Sequence, residues 1–265
     1  MLNPAVARWT VTAAALAAAA FSPLAGSQPV PATPIAAESR ASTANAETGP
    51  AAGPAPGTSR VSAAPDLAAR FRVTWTPRGH PAQAQQWQLQ RSAAEISWIK
   101  GDGREDIWRR DVSGIRLERV LRRDRHRIDY SAGELRTLGV QVDWRALGSL
   151  LTDADLARLH RLPDAQPGAW PHYRGVLDGE QVDLRWDPAA QLPVQLLRRG
   201  KTGQVLYQRL ALLATAPAHW PRAGAGTDDF QRLDAADFGD MDDNPVVRQE
   251  EARDALAGWR KPHRH

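Results

Sequence analysis

The sequence predicts a mainly β protein with a helical insertion: a strongly curved antiparallel sheet, or unclosed β-barrel, with helices covering the opening. Three observations carry this. Apolar residues alternate with polar ones through most of residues 66–213; Gly/Asp turn signals separate the alternating runs; and a 3.6-residue period appears in a single place, between Val142 and Leu162.

Taken in order, Phe71, Val73 and Trp75 alternate in "RFRVTWT", Trp87 and Leu89 in "QWQLQ", and Ile96 and Trp98 in "EISWIK", while Ile107 and Trp108 sit between charges in "EDIWRR". "GDG" at 101–103 and "DVSG" at 111–114 supply turns. Two further strands, near 114–122 and 126–131, are divided by "RRDR". Helices are expected near 143–161: Trp144, Leu147 and Leu151 share one face, and Thr152 with Asp155 forms a capping box that opens a second short helix. Strands then resume in "YRGVL" and "EQVDLRW", joined by the "DG" turn at 178–179, and in "LPVQLLRR" and "QVLYQRLALL", joined by "GKTG". About ten strands with mostly short connections point to one bent sheet whose apolar face the helices must cover.

Outside this domain, placed at 66–220, the chain changes character. Residues 1–27 carry Arg8, an apolar run from Trp9 to Phe21 and small residues around Ala25, the pattern of a secretory signal peptide. The run is short for a membrane span and Pro23 and Pro29 follow it, so removal near Ser27 is expected in preference to a retained anchor. Residues 28–65, rich in Pro, Ala, Ser, Thr and Gly, read as a disordered linker. The implied compartment is the periplasm, with the protein soluble after processing. Absence of cysteine removes disulfides, thiolate metal sites and cysteine nucleophiles together.

Charge is unevenly distributed. Residues 66–220 hold 24 Lys+Arg against 18 Asp+Glu, and residues 221–251 hold 3 against 9. The acidic segment, 221–245, is therefore expected to dock along the arginine-rich strands around Arg116 to Arg127, with Phe230, Leu233, Phe238 and Met241 as apolar anchors. Residues 246–265 are expected to be a short, loosely held helix and a loose tail, since Val247, Leu256 and Trp259 are their main apolar side chains.

Catalytic and cofactor motifs are not found. "RRGKTG" at 198–203 resembles a phosphate loop, but Gln195 replaces its first glycine and a strand follows where a helix is required, so it reads as turn chemistry. The aspartates of 228–243 lack a calcium-loop frame, the histidines are scattered, and no serine sits in a Gly-x-Ser-x-Gly elbow. No catalytic residue, metal or cofactor is assigned, and no nucleic-acid partner is expected of an exported chain. The excess of tryptophan on the strands is the residue-level signal that remains. Trp75, Trp98, Trp108 and Trp186 are the expected lining of a site for an apolar ligand.

The element order over residues 68–214, with the phrase "GEQVDLRWD … LPVQL" at 179–196, resembles the periplasmic lipoprotein carrier and sorting family. That resemblance implies an unclosed β-barrel whose cavity binds lipoprotein acyl chains, with no family ligand residue matched to a position here. The expected function is non-enzymatic: an exported protein holding a lipid or other apolar ligand, a lipid or an acylated protein being the partner. The alternative is a periplasmic protein-interaction or regulatory module, engaging a membrane-associated or periplasmic partner and holding no small molecule.

Overall fold

The computed structural model describes residues 66–163, 166–213 and 222–259. The expected signal peptide, the linker and the terminal residues 260–265 lie outside them. Twelve strands form one sheet that does not close: β1 (Leu67–Pro77), β2 (Gln83–Arg91), β3 (Glu95–Lys100), β4 (Arg104–Asp111), β5 (Gly114–Leu121), β6 (His126–Tyr130), β7 (His160–Arg161), β8 (His172–Leu177), β9 (Glu180–Asp187), β10 (Leu192–Gly200), β11 (Gly203–Leu213) and β12 (Gln231–Asp234). Their spatial order is β12-β6-β5-β4-β3-β2-β1-β11-β10-β9-β8-β7. Two meanders, β1 to β6 and β7 to β11, are thus joined through the antiparallel β1–β11 pair, in which Trp75 lies opposite Val205. Between the meanders lie α1 (Ala132–Thr137), α2 (Trp144–Ser149) and α3 (Asp153–Arg158).

Register assigns the faces. Phe71 lies opposite Trp87, Leu89 opposite Trp98, Ile96 opposite Trp108, Trp108 opposite Leu117 and Leu117 opposite Tyr130. Tyr207, Leu196 and Leu184 continue the same face beyond β1. Every second residue of each strand points to this core face, and most of those residues are apolar. The sheet bends around it: β2 and β10 are separated by two strands, about 14 Å apart in a flat sheet, yet Arg91 of β2 donates from Nη2 to Ala190 O, just before β10, at 2.8 Å.

Each helix has a local cause. Ser131 and Glu134 form a capping box at α1, which the alternation analysis missed, and Asp143 caps α2. The expected Thr152/Asp155 box is present at α3. Leu135, Leu138, Leu147 and Leu159 turn inward and join the core.

The acidic stretch first runs over the outer face of the sheet. Gly224 N donates to Glu105 Oε2 at 2.6 Å, and Arg122 donates to Ala225 O at 3.0 Å, both on the face of β4 and β5 opposite the core. The chain then rounds the edge of the sheet as β12, pairing with β6 in parallel with Leu233 opposite Ile128. A 3-10 turn (Ala235–Asp240) lays Phe238 edge-on to Tyr130, and α4 (Pro245–Leu256) covers the core face. Loose attachment of this helix, expected from its few apolar residues, is not what is found. Its buried side chains are Val247, Glu250 and Asp254, and two of its anchors are carboxylates seated on a buried arginine; Leu256, counted among the apolar residues, is exposed.

Candidate binding face

By register, all four tryptophans named from the sequence project onto the core face. Trp98, Trp108 and Trp186 are 2–6% exposed, whereas Trp75 is half-buried at the end of β1. Trp98, Trp108 and Trp186 belong to the one hydrophobic core, and Trp75 packs against it. Trp98 belongs to an aromatic group with Phe71 and Trp87, each 5.9 Å away between ring centroids, and Trp87 stands 6.0 Å from Tyr207 in an edge-on contact. Trp87, left out of the expected site, is the ring that joins the two meanders. Its pairing with Phe71 follows from alternation once β1 and β2 are placed side by side.

Helix α2 lies over this group and is held by its backbone. Trp98 Nε1 donates to Leu147 O at 2.9 Å, and Arg91 Nη1 donates to Gly148 O at 2.6 Å. These are carbonyls of the last turn, which have no partner within the helix. Burial and the charge of Arg145 bring the Arg91 guanidinium down to about 10. Leu150 ends the helix in the left-handed conformation, with φ at 64°, a costly geometry for a branched side chain. Gly148 faces the strands so closely that a Cβ there would meet Arg91 Cδ at 2.7 Å. Glycine is what permits the approach.

Toward the β6 edge the same face turns ionic. Lys100 Nζ contacts Asp106 Oδ2 at 2.6 Å, and Arg119 Nε contacts Asp106 Oδ1 at 2.9 Å. Arg119 Nη1 reaches Glu250 Oε2 at 3.0 Å and Asp254 Oδ1 at 2.8 Å, while the Tyr130 hydroxyl donates to Asp254 Oδ2 at 2.9 Å. The Arg119 side chain is 6% exposed. Burial acts to raise Asp106, but Lys100 and Arg119 outweigh it and hold its carboxyl far below the usual range; at Asp254 burial prevails over Arg119 and the carboxyl is raised. The Arg119 guanidinium also lies over Tyr130 and Trp259, 5.4 Å from each ring centroid. Sequence reasoning missed this cluster. The available signal was that Lys100, Asp106 and Arg119 occupy core-face positions of their strands, alternating with Trp98, Trp108 and Leu117.

The arrangement can shelter apolar surface. Among the described residues no group of three or more His, Asp or Glu side chains is placed to hold a metal, and no helix is long and apolar enough to cross a membrane.

No protein-family model and no curated protein sequence matches the chain. Among solved structures it is similar to a LolA superfamily protein from Nitrosomonas europaea (8% identity, 59% of this chain and 89% of that one, TM-score 0.31). It is also similar to the Pseudomonas aeruginosa MucA/MucB complex (17% identity, 60% and 56%, TM-score 0.27) and to PNGF-II (9% identity, 66% and 33%, TM-score 0.32). The chain thus spans most of the first of these and about half or less of the other two.

Proposed function

We propose that this chain is a non-enzymatic, exported binding protein of the periplasm, soluble once its signal peptide is removed, which shelters a lipid or acyl chain against the face bearing Trp75, Trp98, Trp108 and Trp186. The observation that supports this reading is the attachment of α2. The helix is only six residues long and lies over the aromatic group of Phe71, Trp87 and Trp98, with Leu147 in the core, two hydrogen bonds to its terminal carbonyls, one from Arg145 to Gln191, and Arg110 over the Trp144 ring. A cover held in that way separates from the rings as a unit when those bonds exchange to water, and the uncovered rings are a surface for an alkyl chain. Such a protein is a carrier of lipid or of an acylated protein, closed in its resting state.

A second reading has its own support. Trp98, Trp108 and Trp186 are almost fully shielded by the chain's own residues, as in a domain whose interior is filled for stability. On that reading the protein is an interaction module for a periplasmic or membrane-associated partner and holds no small molecule.

Native mass spectrometry of protein isolated from the periplasm separates the two. A co-purifying lipid, together with quenching of tryptophan emission by a brominated fatty acid, is the result expected of the carrier. A clean apoprotein whose emission the fatty acid does not quench would overturn it in favour of the module.

A further inference from the structure

At the end of the sheet where β1 stops and the β10–β11 hairpin turns, a surface cleft of about 530 Å³ is lined by Thr76, Arg78, His80, Arg199, Lys201 and Gln204, together with Pro77 and three glycines. Its frame is fixed. Arg78 N donates to Thr202 O at 2.8 Å and His80 N to Pro77 O at 3.1 Å; a Cβ on Gly203 would meet Thr76 O at 2.3 Å, so the hairpin turn is pressed against β1.

Arginine is common throughout this chain, and several are matched by acid: Arg109 meets Glu95 and Glu118, Arg125 meets Asp229, Arg174 meets Asp183, and Arg209 meets Asp187. Other arginines stand singly on the surface, whereas the cleft gathers several cations around one hollow. Among the described residues Arg78, Arg199 and Lys201 pair with no carboxylate, and Arg199 donates only to the amide oxygen of Gln204, at 3.2 Å. The nearest acid, Glu180, lies against Gly200 but is engaged by Arg198 at 2.6 Å. Two guanidinium groups, an ammonium and an imidazole therefore border a ligand-sized space, and among the described residues the carboxylate beside it, Glu180, is shared with Arg198.

We propose that this cleft is a binding site for a phosphate-bearing anion of at least two negative charges, a phosphomonoester or diphosphate group, gripped by Arg78, Arg199 and Lys201. The forked guanidinium groups match phosphate oxygens in pairs, and the lysine adds a point charge. Side chains on a hairpin do the holding, so the "RRGKTG" sequence needs no helix N-terminus behind it. The proposal does not depend on what occupies the aromatic face.

The group can belong to a soluble phosphate compound or to a lipid headgroup, and the test distinguishes them. Full-length protein is titrated with pyrophosphate by calorimetry and sedimented with phosphatidylcholine vesicles with and without phosphatidic acid. Arg199→Gln/Lys201→Gln is compared with the charge-matched control Arg72→Gln/Arg248→Gln, whose arginines are exposed elsewhere. The expected result is pyrophosphate binding weakened about tenfold by the cleft pair and less than about twofold by the control, melting temperatures being equal. Vesicle binding that requires phosphatidic acid and is competed by pyrophosphate assigns a lipid source; pyrophosphate binding alone assigns a soluble one. Binding of neither probe, or equal losses in the two double variants, would overturn the proposal.

Discussion

Arg119 is the residue on which the attachment of the C-terminal helix turns. Around it Lys100, Arg119 and Arg253 face Asp106, Glu250 and Asp254, three charges of each sign. Replacing Arg119 by Met keeps much of the side-chain volume but leaves three carboxylates converging on an apolar thioether. Breaking a buried, hydrogen-bonded pair by removing one partner costs about 3–5 kcal/mol, and here three carboxylates lose a donor at once, so the upper end applies. With a urea m-value of about 2 kcal/mol/M, the unfolding midpoint should fall by about 2.5 M, read by tryptophan fluorescence. Asp254→Asn keeps the shape of its side chain while removing one charge and one acceptor for the Tyr130 hydroxyl, and should cost about 1–3 kcal/mol. In the double variant the two losses should fall short of their sum by at least about 1 kcal/mol, since both act on one contact. If Arg119→Met moves the midpoint by less than about 0.5 M, α4 is an appendage and the account of its docking is wrong.

Three other outcomes follow from the same geometry. Gly148→Ala places a Cβ 2.7 Å from Arg91 Cδ and 3.2 Å from Ile96 Cδ1, so α2 or the Arg91 side chain must shift and the bond from Arg91 to the Gly148 carbonyl is strained either way. A loss of about 1–3 kcal/mol with a red shift of tryptophan emission is expected, and unchanged emission would show that α2 does not shield Trp98. Acid stability should depend on Asp106: its folded-state pKa is depressed, so its contribution is full above the ordinary carboxylate value of 3.8 and is lost as pH falls further, a slope that Asp106→Asn should flatten in urea titrations below about pH 5. Asp254, raised by burial, has the opposite sign and adds no acid lability. Phe238 is buried against Tyr130, and Phe230 lies under Arg125, 5.0 Å from its guanidinium carbon. Replacing both by Ala should open residues 222–245 to limited proteolysis, and an unchanged cleavage pattern would refute their anchoring role.

What the sequence discloses and what it conceals divide along a physical line. Strands β1 to β6 and β8 to β11 were legible because a two-residue period marks a half-buried sheet directly, and α3 because Thr152 and Asp155 cap it by a local rule. Helix α1 had a local signal as well, Ser131 with Glu134, but Gly133 stands inside it and only Leu135 of the helix is buried, so no apolar period drew attention to it. Strand β12 had no signal of its own. "QRLD" has a single apolar residue, Leu233, and becomes a strand only because β6 offers an unpaired edge, a partner about a hundred residues earlier in the chain.

The candidate site divides the same way, and for a reason that reaches function. Alternation placed Trp75, Trp98, Trp108 and Trp186 on one face, yet it gave no account of what lies across from them, because that depends on chain returning from elsewhere. Glu250 and Asp254 look like solvent-facing charges on a helix with little apolar surface; they are buried only because Arg119 sits on the core face of β5. The C-terminal segment therefore completes an interior that the strands leave charged. One half of the core face, under α2, is aromatic and covered through two carbonyl bonds, the Arg145 bond to Gln191 and Arg110 over Trp144; the other half, under α4, is ionic and covered through interlocking charges. Desolvated ion pairs release their cover only when the charges regain water, at a cost of several kcal/mol, whereas the carbonyl bonded by Trp98 costs about 1 kcal/mol net to free and the one bonded by the Arg91 guanidinium about 1.5–3 kcal/mol. If the face opens to an apolar ligand, the opening therefore begins at α2 while α4 stays seated. Hydrogen exchange should show it, with the amides of Ala146 to Leu150 exchanging by a local opening well below the global stability and those of Arg248 to Asp254 exchanging only near it. Equal protection of the two helices would remove the asymmetry on which the carrier reading depends.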